Sequence, residues 1–162
     1  MRRLSLVALM LGLVAAAGAA SLSEVPEHWG GRVAPIPQQR LAELEDATAA
    51  RIRETRSRLG EMLDETDASA AELAAVYGRL GALYGAHRMY AGAELAFGNA
   101  RSLNPHGFQW AYYAAHLALE QGEPEQALGF LGEAAQIDPG LSLIHISEPT
   151  RRACRSRMPS SA

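Results

Sequence analysis

Histidines, glutamates and a single cysteine are the residues of this chain that could do chemistry. The histidines at 28, 87, 106 and 116 are too scattered for the H-E-x-x-H pattern, in which two imidazoles on one helical face bind zinc. The chain contains no Lys and no G-x-x-x-x-G-K or G-x-S-x-G motif, so phosphate-loop and lysine-dependent chemistry are excluded within these residues. One Cys cannot form an internal disulfide or a Cys-rich metal site. We therefore predict no catalytic residue, no metal site and no cofactor.

Carboxylates are the remaining candidates for acid–base catalysis, but on exposed helical surfaces they are usually solvated. The 162 residues carry 15 Arg and 18 acidic side chains, a net charge of −3, and this balance lacks the basic surface that nucleic-acid binding requires. The length predicts one domain with a real core. The carboxylates that fall on predicted helices are Glu72, Glu94, Glu120, Glu123, Glu125 and Glu133.

The N-terminus has the pattern of a secretory signal. Arg2 and Arg3 precede an uncharged stretch over residues 4–20, and Ala17-Gly18-Ala19 fits the A-x-A site of a signal peptidase. We predict a signal peptide over residues 1–19 and export, with an uncleaved membrane anchor as the alternative. Arg without Lys, together with many Ala and Gly, resembles the output of a GC-rich bacterial genome, which makes the periplasm the expected location. Residues 20–37 are rich in Pro and Gly and are predicted to be a linker.

The C-terminal residues 141–162 differ abruptly from the Ala-rich sequence before them. Residues 141–151 and 156–162, reverse-translated, resemble two constant parts of the adapter used in short-read sequencing libraries, in the expected order and frame. We therefore expect this tail to be non-native and disordered, so that Cys154 and His145 have no function. The natural gene is then expected to continue beyond about Gly140. The alternative is a natural tail forming a short strand or the first helix of another repeat.

A 34-residue period runs through the middle of the chain. It relates residues 74–107 to residues 108–141, and this region resembles the tetratricopeptide repeat, whose unit is two antiparallel helices. The resemblance predicts an all-α fold, a short solenoid of helix-turn-helix repeats. In the first unit, the family's large, small and helix-ending positions hold Tyr77, Leu80, Gly81, Tyr84, Ala93, Phe97, Ala100 and Pro105; Ala127, Leu131, Ala134 and Pro139 do so in the second.

The first helix of the second unit departs from the family pattern. Ala111, Ala114, Ala115 and Ala118 stand where larger residues or Gly are usual, and Trp110, Tyr113 and Leu117 are expected to supply the missing bulk from neighbouring positions. Local signals agree with the period. Ser69 and Glu72 form a predicted capping box, while Gly122 and Pro124 are predicted to end one helix and begin the next.

Residues 38–66 are predicted to form one long amphipathic helix before the repeats. We interpret it mainly as a cap that packs on the first repeat and keeps the end of the array soluble. The alternative is a helix that fills a groove or forms a homodimer through residues 38–65. Its apolar side chains are Leu41, Leu44, Ile52, Leu59, Met62 and Leu63.

A repeat array offers a concave surface, lined mainly by the first helix of each unit. The resemblance places a stripe of small residues there in the first unit, and an apolar platform with polar groups in the second, with Tyr112 and His116 as anchors for a peptide or helix. The alternative is that the small stripe is covered and Tyr112 is ordinary packing between repeats. The two sets are Ala75, Gly78, Ala82 and Gly85, and Gln109, Tyr112, His116 and Leu119.

Together these features predict an exported, non-catalytic scaffold that binds a protein or peptide, with no nucleic-acid or metal partner and contact with membrane only through an uncleaved signal. One alternative is the recognition arm of a larger exported enzyme or cytochrome-associated protein, and another is a structural homodimer. Residues 20–140 contain 9 Arg and 17 acidic residues, a net charge of −8. The partner surface is therefore expected to be basic or apolar.

Overall fold

The fold was obtained as a computed structural model, which describes residue 22 and residues 24–140. Every regular element in these residues is helical, so the predicted all-α class is confirmed for them. The predicted signal peptide and the predicted adapter-derived tail lie outside the described residues. None of the described helices is long and apolar enough to cross a membrane. A short 3₁₀ helix at Glu27–Trp29 precedes α1 (Asp46–Asp64), α2 (Ala70–Ala86), α3 (Tyr90–Leu103), α4 (Phe108–Gln121) and α5 (Pro124–Ile137).

Helices α2 to α5 pack as two pairs in chain order. The most extensive contacts join α2 to α3 and α4 to α5, and α3 contacts α4 to join the pairs. Residues 87–89 connect the first pair and residues 122–123 the second, and connections this short make neighbouring helices antiparallel. Small residues allow the close approach: a Cβ on Gly81 would lie 2.8 Å from the Phe97 ring, and one on Gly92 would lie 2.9 Å from the Tyr84 ring.

The helix boundaries follow local sequence signals with one exception. Gly122 ends α4 in the left-handed region, with φ 80°, and Pro124 occupies the first turn of α5, both as predicted. Ser69 is the residue that caps α2, but its side chain makes no capping hydrogen bond. The predicted capping box is therefore wrong in its bonding although it is right in its position.

Replacing Gly122 tests the left-handed helix end. We expect Gly122→Ala to lower the free energy of unfolding by about 1–2 kcal/mol, because a Cβ is strained at φ 80° even though no atom lies within 4 Å of it. Gly129→Ala is the matched control within α5, where the added Cβ also meets open space; it should raise stability by about 0.5–1 kcal/mol. Urea denaturation measures both, and equal effects of the two variants would contradict the conformational explanation.

Helix α1 is shorter than the predicted 38–66. It begins at Asp46, and Leu41 and Leu44 lie half-buried outside it. The reason is that the preceding chain runs along α3 as far as Gln39, whose side-chain nitrogen would lie 3.1 Å from a Cβ on Gly92. The apolar face of α1 packs on α2 and is buried in the chain's own core, which favours the capping interpretation over a homodimer through this helix. The buried side chains of that face are Ile52, Leu59, Met62 and Leu63.

The segment predicted as a linker is packed into the protein. Leu22, Trp29, Val33 and Ile36 are buried and belong to the same core as α1, α2 and α3. Proline and glycine content indicated an irregular backbone, and this is what the structure has. That backbone is nevertheless ordered by burial of its hydrophobic side chains, so residues 22–37 are not a free linker.

Candidate functional site

One face of α4 carries the predicted anchors. Tyr112 and His116 lie one turn apart, and their rings meet edge to face with centroids 4.6 Å apart. Both side chains are half-buried, as is Gln109 one turn before them, whereas Leu119 one turn beyond is 51% exposed. The four residues therefore form an accessible strip along the helix, which we call the α4 face. It combines an apolar surface with polar groups at Gln109, Tyr112 and His116.

The aromatic residues beside the α4 face are fixed by stacking. Tyr113 stacks on the buried Phe97 of α3, with ring centroids 5.8 Å apart. The ring centroids of Tyr113 and Tyr112 are 5.9 Å apart. Burial, with a smaller contribution from Tyr113, raises the pKa of the Tyr112 hydroxyl. Tyr112 therefore keeps its hydroxyl as a hydrogen-bond donor at physiological pH, and its ring lies against the rings of Tyr113 and His116.

The small residues of the first unit do not form a continuous open stripe. Ala75 and Ala82 are exposed, as predicted for a binding surface. Gly78, however, is buried beneath Trp110, and a Cβ there would overlap the indole ring, at 2.6 Å from Cε3. Gly85 is half-buried, and a Cβ on it would lie 3.3 Å from Leu117. The prediction that Gly78 lines a ligand surface is therefore wrong, since α4 already covers it.

The residues singled out by the 34-residue period are mostly core residues. Pro105 and Pro139 follow α3 and α5 and are exposed, and Leu131 is half-buried on α5. The other residues of this set are buried, so their side chains pack the helices together and do not contact a ligand directly. The buried members are Tyr77, Leu80, Gly81, Tyr84, Ala93, Phe97 and Ala100 in the first pair, and Ala127 and Ala134 in the second.

Two grooves lie between helices in the described part of the chain. A groove of about 440 Å³ between α1 and α2 has Arg51, Arg58 and Arg79 at its rim, and Arg58 pairs with Glu61 at 3.6 Å. A smaller one of about 170 Å³ between α3, α4 and α5 contains Arg101, whose charge is paired with Glu133. No group of three or more His, Cys, Asp or Glu in the described part of the chain could hold a metal ion. In the larger groove the Ser57 hydroxyl donates to a Glu61 carboxylate oxygen at 3.4 Å, and both residues are exposed to solvent.

Sequence reasoning missed three residues that hold the N-terminal segment. The Asn99 side chain accepts from the Ala34 N–H at 2.7 Å and donates to the Ala34 carbonyl at 2.8 Å. Ser102 donates to the Arg32 carbonyl at 2.6 Å, and Arg56 donates to the Pro37 carbonyl at 3.4 Å. The available signal was Asn99 itself, a polar residue on an α3 face otherwise made of Gly92, Ala96 and Leu103.

Comparison with known proteins adds no relative. No family model, no curated protein and no solved structure matches the chain.

Proposed function

We propose that this chain is an exported, non-catalytic interaction module of the tetratricopeptide-repeat type, in which the α4 face binds a helix of a partner protein. The 34-residue period, the two antiparallel helix pairs and the accessible aromatic strip support this proposal. Export is supported by the signal-like residues 1–19, which lie outside the described part of the chain.

The observation that carries the proposal is a correspondence between α2 and α4. Gly78 and Gly85 on α2 are 34 residues before Tyr112 and Leu119 on α4. The two glycines on α2 lie under Trp110 and Leu117 of α4. On α4, the corresponding positions remain accessible, with Leu119 51% exposed. The strip that receives a helix in the first unit is therefore presented to solvent in the second.

The correspondence also indicates what kind of partner fits. In the covered pair, α2 supplies small residues and α4 supplies large ones. The α4 face itself supplies the large residues, Tyr112 and Leu119, so the complementary helix presents small apolar side chains opposite them. Residues 20–140 have a net charge of −8, which favours a partner helix with basic residues at the edge of the contact.

A selection of binding peptides tests this site. The probe is a displayed library of 14-residue, Ala-rich helical peptides in which one face is randomised. We expect selected peptides to carry small apolar residues on that face, and Tyr112→Ala or Leu119→Ala to weaken their binding about 10- to 100-fold, because both truncations remove central apolar contacts. Isothermal titration with one selected peptide measures the change in Kd.

Two histidine variants form a matched pair of test and control. His116→Ala removes the ring that meets Tyr112 and should weaken binding, whereas His87→Ala removes an exposed histidine just after α2 and should leave it unchanged. Unchanged circular dichroism spectra verify that the variants fold. If the library yields no binder, or if its binders tolerate Tyr112→Ala and Leu119→Ala, the proposed site is wrong.

A further inference from the structure

Residue 22 and residues 24–37 lie in a groove between α1 and α3, with a 3₁₀ helix and turns over residues 27–32 and irregular backbone from Ala34 onward. Arg32 meets Ser102, Ala34 meets Asn99, and Gln39 approaches Gly92, so the segment runs antiparallel to α3 along one of its faces. Gly92 and Ala96 give that face a shallow floor, since neither projects beyond a methyl group. We call this surface the α3 groove.

The groove recognises the main chain of the segment. One amide group, that of Asn99, pairs with both the N–H and the carbonyl of Ala34, and the Arg32 carbonyl accepts from Ser102. Arg56 of α1 donates to the Pro37 carbonyl at 3.4 Å. Contacts to backbone groups select one backbone conformation over residues 32–37 and tolerate different side chains. Pro35 and Pro37 favour that conformation before binding, because each fixes its own φ and restricts the residue before it.

Side-chain anchors supply the apolar part of the contact. Trp29, Val33 and Ile36 are 5%, 8% and 1% exposed. Opposite them, Asn99 is a polar side chain only 3% exposed on a helix interior, and its hydrogen bonds go to Ala34 of the segment. A buried amide group needs hydrogen-bond partners for its donor and acceptor atoms, and here the backbone of Ala34 provides them.

The segment is also separable from the helices. Among the described residues, its backbone–backbone hydrogen bonds are internal, such as that from the Ile36 N–H to the Leu22 carbonyl at 2.8 Å, and none joins it to α1–α5. Residues 38–45, which connect it to α1, are not helical, and Ala42 and Glu43 within them are exposed. The segment can therefore leave the groove without breaking a helix.

We propose that the α3 groove is a second binding site, specific for Pro-containing peptides that adopt the backbone conformation of residues 24–37, and that this segment is the ligand it holds in this state. The partner is a protein segment that presents an aromatic anchor from a helical turn, followed by two aliphatic anchors, in the pattern of Trp29, Val33 and Ile36. Such a segment competes with the chain's own residues and occupies the groove when it displaces them. This site is independent of the α4 face.

The test makes the segment removable after folding. A protease site is placed at Ala42–Glu43 in the full chain, the folded protein is cut there, and a fluorescent synthetic peptide of residues 22–37 is added. We expect the cut protein to exchange its own fragment for the labelled peptide with micromolar affinity. The uncut chain should bind the peptide at least 100-fold more weakly, because the tethered segment has a millimolar effective concentration.

Two variants assign the binding to the groove. Asn99→Ala removes the amide that pairs with Ala34 and should weaken peptide uptake at least 10-fold, whereas Asn104→Ala, just after α3, should leave it unchanged. A peptide of the same composition in scrambled order should not bind. Failure of the cut, folded protein to take up the peptide, or equal uptake by the cut and uncut chains, would overturn the proposal. The α4-face variants do not alter this measurement, so it stands or falls separately from the proposed function.

Discussion

Phe97→Ala is expected to lower the free energy of unfolding by about 3–5 kcal/mol, through loss of buried apolar contact and the cavity left behind. Phe97 is 3% exposed, its ring lies against the Cβ-free surface of Gly81 on α2, and Tyr113 of α4 stacks on it at 5.8 Å. It therefore joins three helices. Since a domain of this size has a total stability of about 5–15 kcal/mol, the midpoint of thermal unfolding should fall by about 10–20 °C.

The matched control is Leu128→Ala, which truncates an apolar side chain that is 69% exposed on α5. It should change the stability by less than about 0.5 kcal/mol, because little apolar surface returns to water. Urea denaturation of the full chain gives both values. A loss below about 1 kcal/mol for Phe97→Ala would mean that Phe97 is not the centre of the packing between the helices, and that the register derived from the 34-residue period is wrong.

Features set by neighbouring residues could be predicted from the sequence. Gly122 and Pro124 mark the turn between α4 and α5 because the left-handed region and the fixed φ of proline depend only on the residues themselves. The small and large residues spaced by 34 also fall in the core as predicted, with Ala93 and Ala127 each buried. In these cases the physical cause lies within one turn or one helix pair.

Features that depend on distant contacts could not be predicted in the same way. Ala34 and Asn99 are 65 residues apart in the chain, and nothing in the composition of residues 20–37 indicates that an amide on α3 will bind their backbone. The beginning of α1 has the same cause, since the segment on α3 must end before a helix can form. The spacing of the apolar side chains predicted a helix within residues 38–66, but it did not show where that helix begins.

The candidate site also depends on contacts between helices that the sequence pattern does not reveal. The period correctly grouped Tyr112, His116 and Leu119 on one accessible face, because helical spacing determines which residues share a face. It also placed Gly78 on a binding surface, because it contains no information about how far the side chains of the next helix extend. Trp110 stands one position before Ala111, the residue 34 positions after Tyr77, and its ring occupies the space above Gly78.

Gly78→Ala should therefore destabilise the protein by about 2–3 kcal/mol, although alanine normally strengthens a helix by 0.5–1 kcal/mol in place of glycine. The new Cβ would overlap the Trp110 ring, which is itself only 8% exposed and has little room to move. Gly98→Ala is the matched control, a glycine inside α3 with no atom within 4 Å of an added Cβ, and it should stabilise the protein.

A double-mutant cycle separates the overlap from any other effect of the substitution. In a Trp110→Leu background the ring is gone, so Gly78→Ala should become neutral or stabilising, and the coupling between the two sites should be about 2 kcal/mol. Denaturation curves of the four proteins give this value. Additive effects would show that Trp110 does not fill the space above Gly78, and Gly78 would then be available to a ligand, as the resemblance first indicated.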